Sequence, residues 1–136
     1  MGQEDNTKAI ELFDQAVGLK SDFIDANLQI AFIDEKEGRI EEAKTRLENL
    51  VIRNPYSTDV RFQLGRLYYN QNELSNAEGQ FVLVLQLFPN HSNALYSLAL
   101  IYERRDEITK ALAALRSVLE LNPGNQDVAN KIKSLE

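Results

Sequence analysis

The chain has 136 residues, 43% of them hydrophobic and 26% charged, with 15 basic against 21 acidic side chains and a net charge of −6. That length and apolar content suit one globular domain and exclude a disordered chain, while 6 glycines and 3 prolines exclude collagen-like architectures. The lack of cysteine removes disulfide frameworks and thiolate chemistry, the single histidine, His91, leaves no material for histidine metal clusters or Ser-His-Asp catalysis, and the acidic balance opposes binding to a phosphate backbone.

The start, Met1 to Asn6, is acidic and polar, unlike a signal or transit peptide, and the longest apolar run, 81–85, is far short of a membrane span. Apolar residues at helical spacing predict helices at 5–19, 22–36, 40–53, 58–70, 74–87, 92–104, 108–121 and 126–135. In 58–70 the stripe is Val60, Leu64, Leu67 and Tyr68; in 74–87 it is Leu74, Ala77, Phe81, Val84, Leu85 and Leu87. Gly38, Asn72 and Asp106, residue types that tolerate a left-handed turn, stand between paired helices. Pro55, Pro89 and Pro123 stop the second helix of each pair, and Ser57 or Thr58, Ser92 and Asn125 are placed to cap the next. The closing helix turns Val128, Ala129, Ile132 and Leu135 inward and Asp127, Asn130, Lys131 and Lys133 outward, as a terminal cap does.

These elements repeat. The three prolines are 34 residues apart, and so are Ala9, Ala43, Ala77 and Ala111. Four residues beyond each alanine come Phe13, Leu47, Phe81 and Leu115; upstream, a large apolar residue precedes a small one at Ile30-Ala31, Leu64-Gly65 and Leu98-Ala99. The small column implies a close approach of two helix backbones. The second copy reads Arg61-x2-Leu64-Gly65-x2-Tyr68, Ala77-x3-Phe81, Pro89; the third reads Leu95-x2-Leu98-Ala99-x2-Tyr102, Ala111-x3-Leu115, Pro123. This pattern resembles the tetratricopeptide repeat, W-x2-L-G-x2-Y, A-x3-F, P. The first copy departs from it with Asn27 and Asp34 in the tryptophan and tyrosine columns, which weakens the packing expected of that copy. The resemblance implies an all-α, right-handed α-solenoid of helix-turn-helix repeats, one domain over 1–136: a half-repeat at 1–23, repeats at 24–57, 58–91 and 92–125, and a capping helix at 126–136. An unpartnered second helix at the front suggests a piece of a longer array, or an edge that pairs with another copy.

In this family one face of each first helix lines a concave groove that holds a partner polypeptide. Carried onto this chain, those columns hold Asp25, Leu28, Gln29, Phe32 and Glu35; then Asp59, Phe62, Gln63, Arg66, Tyr69 and Asn70; then Asn93, Tyr96, Ser97, Leu100, Glu103 and Arg104. Leu28, Phe32, Phe62, Tyr69, Tyr96 and Leu100 would form an apolar strip, with Arg66 and Gln63 orienting the partner, a hot-spot composition. One subfamily grips a terminal carboxylate with cations at columns that here hold Leu28, Phe32, Gln63, Asn93 and Ser97, so that mode is disfavoured. The expected function is therefore non-catalytic capture of a protein or peptide, with no cofactor, metal, nucleic acid or membrane insertion.

Two alternatives stand beside it. Gly79, Val82 and Leu83 lie on the face of helix 74–87 that is normally solvated, with Ile52 at the corresponding face one repeat earlier and Phe88 just beyond the helix, so self-assembly through this face or through the front helix is one. An interaction domain appended to a larger bacterial enzyme or membrane protein is the other, in a compartment the composition leaves open. Residues 1–37 carry 9 acidic and 3 basic side chains, so the excess negative charge sits at the front. Catalysis finds no footing: Asp34-Glu35 and Glu41-Glu42 diverge around their helices, and no glycine-rich phosphate loop is present. His91 reads as a solvated or cap-region residue of a turn, and Arg104-Arg105 as cations complementing a helix C-terminus.

Overall fold

A computed structural model describes residues 20–136, with side-chain environments from Phe23 onward; the expected helix 5–19 lies outside the described residues. Seven helices follow in chain order: α1 Lys20–Lys36, α2 Ile40–Arg53, α3 Thr58–Asn70, α4 Leu74–Leu87, α5 Ser92–Arg104, α6 Ile108–Leu121 and α7 Gln126–Leu135. Among the described residues there is no strand, and no helix is long and apolar enough to cross a membrane. The sequence-derived boundaries hold throughout except that α1 starts at Lys20 rather than at 22.

The same backbone device closes each hairpin. Gly38 (φ 84°), Asn72 (φ 61°) and Asp106 (φ 60°) adopt the left-handed conformation. The N–H of the following residue then donates back to a carbonyl near the end of the first helix: Arg39 to Asp34 (2.7 Å), Glu73 to Tyr68 (2.8 Å) and Glu107 to Tyr102 (2.8 Å). A left-handed residue with this long backward bond is the Schellman way of satisfying terminal carbonyls. Between repeats, the residue before each proline leaves the helical region: Asn54 at φ −133°, Phe88 at −136° and Asn122 at −142°. The next helix is capped by a side chain that accepts a backbone N–H. Ser57 Oγ accepts from Val60 (3.3 Å) and Asn125 Oδ1 from Val128 (3.1 Å). At α5 the cap is His91, whose Nδ1 accepts from Ala94 (3.1 Å), and not Ser92, which is already the first helical residue.

The described chain forms two compact units, one ending at Leu64 and the other running Gly65–Glu136, so that α3 crosses the boundary. In the first, α1 packs on α2. Ile30 and Ala43 are fully buried there, with Ala31, Leu47 and Leu50 nearly so. In the second, α5 packs on α4 and α6, and α7 on α6. Ala99, Leu115, Val118, Val128 and Ile132 form one buried cluster that joins α5, α6 and α7. The small column has a side-chain cause here. A Cβ on Gly65 would lie 2.8 Å from Cε1 of the buried Phe81 ring.

Candidate functional site

Each unit has a first-helix face outside its core. In the first unit Phe32 stands 56% exposed on α1, while its neighbour Ala31 is 4% exposed on the core side. Leu28 is half-buried, and Asp25 and Gln29 are exposed around it. On the first half of α3, Phe62 and Gln63 are half-buried between the core positions Val60 and Leu64. An aromatic flanked by polar residues, on a helix anchored through its opposite side, is a rigid anchor for a partner's apolar group.

Beneath that face, Asn27 and Asp34 stand where the repeat pattern would have aromatics. Asn27 is 5% and Asp34 4% exposed, and both are bonded. Arg46 of α2 donates to Asn27 Oδ1 (2.7 Å), and Asn27 Nδ2 donates to the Phe23 carbonyl (2.9 Å). Arg39 Nε donates to Asp34 Oδ1 (2.8 Å), with Arg46 Nε 4.0 Å from the other carboxylate oxygen. A buried charge is tolerated when it is paired and hydrogen-bonded in this way. A polar network between α1 and α2 thus stands in the first copy where the repeat pattern has aromatic contacts. Phe23, Asn27, Arg46, Leu50 and Arg53 line an adjoining cavity of about 560 Å³, with the Arg53 guanidinium 5.7 Å from the Phe23 ring centre.

In the second unit Arg66, Tyr69, Tyr96 and Leu100 are all half-buried. Arg104 lies over the Tyr69 ring at 4.7 Å and donates to Asn72 Oδ1 (3.2 Å), so it holds the ring as well as ending its helix. Tyr96 packs against the α5–α6–α7 core cluster, which gives it a structural share besides any docking role. Lys131 of α7, read from sequence as an outward residue, pairs with Glu103 at 2.8 Å. The hydrogen bond to Glu103 holds the Lys131 ammonium above the ordinary lysine value, and the nearby Tyr96 and Tyr69 phenols act in the same direction. This side chain lies 28 residues from Glu103, off the repeat period, and only the packing of α7 brings it to this face.

A second polar cluster ties α4 to the C-terminal end of α5 in the next repeat. Arg105 donates to Glu78 Oε1 (2.6 Å) and to Ser75 Oγ (3.1 Å). Burial, and then Glu78 beside it, push the Tyr102 phenol above 10.0. Among the described residues no group of three or more His, Cys, Asp or Glu side chains converges to hold a metal.

The tetratricopeptide repeat profile matches residues 34–90 and 62–126, together more than half of the chain. The chain belongs to the tetratricopeptide-repeat family. It is 26% identical over 131 residues to a TPR repeat-containing protein of Pseudomonas aeruginosa, covering 96% of this chain and 22% of that protein. It is 25% identical over 134 residues to the protein O-mannosyl-transferase Tmtc3 of Drosophila melanogaster, covering 98% of this chain and 14% of that one. The chain thus spans about a seventh to about a fifth of the length of these relatives. Among solved structures, MamA superposes with a TM-score of 0.82 at 20% identity, over 98% of this chain and 78% of that one. YrrB, described as a tetratricopeptide-repeat protein with an unusual peptide-binding site, gives 0.77 at 24% identity, over 96% and 68%. The first tetratricopeptide domain of Spaghetti, bound to an HSP90 peptide, gives 0.73 at 18%, over 80% and 86%. These likenesses establish the fold, an all-α helical-repeat solenoid.

Proposed function

We propose that this chain is a non-catalytic interaction module that docks a partner polypeptide on its first-helix faces. One strip is Leu28, Phe32, Phe62 and Gln63 of the first unit; the other is Arg66, Tyr69, Tyr96 and Leu100 of the second. The observation that carries the reading is Phe32, a large aromatic left 56% exposed on a helix whose core side is closed. Exposing such a ring gains nothing for the fold, and its burial by a partner recovers about 25 cal/mol per Å² of apolar surface covered. Peptide binding in structural neighbours of the same fold supports it.

The test pans a displayed peptide library against the full chain and re-measures the enriched peptides on Phe32→Ala and Phe62→Ala variants. Binders are expected to carry an aromatic or branched apolar anchor and to lose at least about tenfold in affinity on each variant, with helicity and melting temperature retained. Enriched peptides that bind both variants as tightly as the parent chain overturn the proposal. Leu64→Ala, which strikes a side chain 2% exposed, is the contrasting core variant and is expected to lower stability first.

A further inference from the structure

The second helices of the three repeats share one period, so their solvent-side positions can be compared register by register. At seven matched positions α2 carries four charges, Glu41, Glu42, Glu48 and Arg53, and α6 carries three, Lys110, Arg116 and Glu120. On α4 the same seven positions carry none; they begin Ser75, Asn76, Gly79 and continue through Val82, Leu83 and Gln86. Val82 and Leu87, the last of the seven, stay 36% and 37% exposed. The one charge on α4, Glu78, is neutralised at the flank by Arg105, 2.6 Å away. Gly79 serves nothing within its own chain. A Cβ there would meet no atom within 4 Å, and its φ is not left-handed, so the fold gives up helix stability at this position without return.

The pattern is self-complementary. When two such helices cross antiparallel about a two-fold axis midway between Gly79 and Val82, Val82 of each copy sits over Gly79 of the other, and Ser75 of each sits opposite Gln86 of the other. The apolar side chain meets the residue without one, and hydroxyl meets amide. Ser75 Oγ accepts from Arg105 (3.1 Å), which leaves its hydrogen to donate to the Gln86 carboxamide oxygen. Such isologous pairing needs a surface that does not repel its own image. The unit Gly65–Glu136, with 7 basic and 8 acidic side chains, presents an uncharged face here although the whole chain is at −6.

We propose that the solvent face of α4 is a homodimer interface, formed by a second copy of this chain in that antiparallel register. A single helix crossing buries less than the roughly 800 Å² per partner of a standard interface, so the dimer is weak, with a dissociation constant of about 0.1 mM. This contact is independent of partner capture on the first helices.

Sedimentation equilibrium of the full chain from about 10 μM to about 1 mM tests it. The parent's weight-average mass is expected to climb towards twice the 15.5 kDa of the single chain. Gly79→Glu, whose side chain enters open space in the monomer, is expected to weaken association at least about tenfold while keeping helicity and melting temperature. Because the chain has no cysteine, an equimolar mixture of Gly79→Cys and Val82→Cys chains reports the register on oxidation, with the mixed disulfide well beyond the twofold excess over either symmetric one that random pairing gives. A parent that remains at single-chain mass throughout, a Gly79→Glu variant that dimerises equally well, or a mixed disulfide at no more than twice either symmetric one would each overturn the proposal.

Discussion

Gly65 and Phe81 form the sharpest test of how this core is packed. A methyl group added at 65 would sit 2.8, 3.0 and 3.1 Å from three carbons of the Phe81 ring. The ring is 1% exposed and has nowhere to retreat. Overpacking of this kind costs about 1–3 kcal/mol, against about 0.5–1 kcal/mol gained by replacing glycine with alanine inside a helix, so Gly65→Ala should destabilise by about 1 kcal/mol net. The neighbouring repeats hold the complementary solution, with alanine at 31 and 99 matched to leucine at 47 and 115. In a Phe81→Leu background the obstruction is gone, and Gly65→Ala should stabilise the chain by its helix-propensity gain. Urea unfolding followed by far-UV circular dichroism on the four chains of this cycle reads the sign directly, provided the denaturant slopes agree. If Gly65→Ala changes stability equally in both backgrounds, to within about 0.5 kcal/mol, the two positions are not coupled and the steric reasoning is refuted.

Asp34→Ala strands Arg39, while Arg46 keeps its bond to Asn27, and should lower the unfolding free energy by about 3 kcal/mol, the low end for a broken buried pair because the Arg39 guanidinium remains partly in water, whereas an Asp34→Ala, Arg39→Ala chain should recover part of that loss. Chemical unfolding of the three chains checks this, and equal losses in the single and double variants would dismiss the pairing. Raised above 10.0 in the folded state, Tyr102 contributes stability that is complete below pH 10.0 and is lost as pH rises through its folded value, so the urea midpoint should fall above that pH. The fall should be shallower in Tyr102→Phe, and the phenolate absorbance of the parent should show a late-titrating tyrosine that this variant lacks.

The residues that repeat every 34 positions made the helices legible from sequence alone, because turn chemistry is local. Gly38, Asn72 and Asp106 announce left-handed turns, and Pro55, Pro89 and Pro123 announce where a helix cannot go on, so six of seven helix starts and all seven ends fall where they were expected. What stayed hidden were interactions without that period. Nothing in the spacing says that Arg46 reaches back 19 residues to Asn27, so the network that joins the two polar substitutions was not visible in the sequence. The His91 cap was missed by one residue, since imidazole Nδ1 does the work usually given to a hydroxyl. For Gly65 the column reads as tight, and the structure adds that the atoms nearest a Cβ there belong to the Phe81 ring. The candidate docking residues were placed on their helices by periodicity, while their support by Arg104, Glu103 and Lys131 required the fold.

The Lys131–Glu103 pair gives α7 more than one duty. The helix that packs on α6 also shapes the charge around Tyr69 and Tyr96, so trimming it would change the electrostatics of the proposed docking face as well as loosen the packing. For anyone engineering longer or shorter arrays from this sequence, α7 cannot be treated as an interchangeable element, because swapping it removes the cation that faces Glu103 on the proposed docking face.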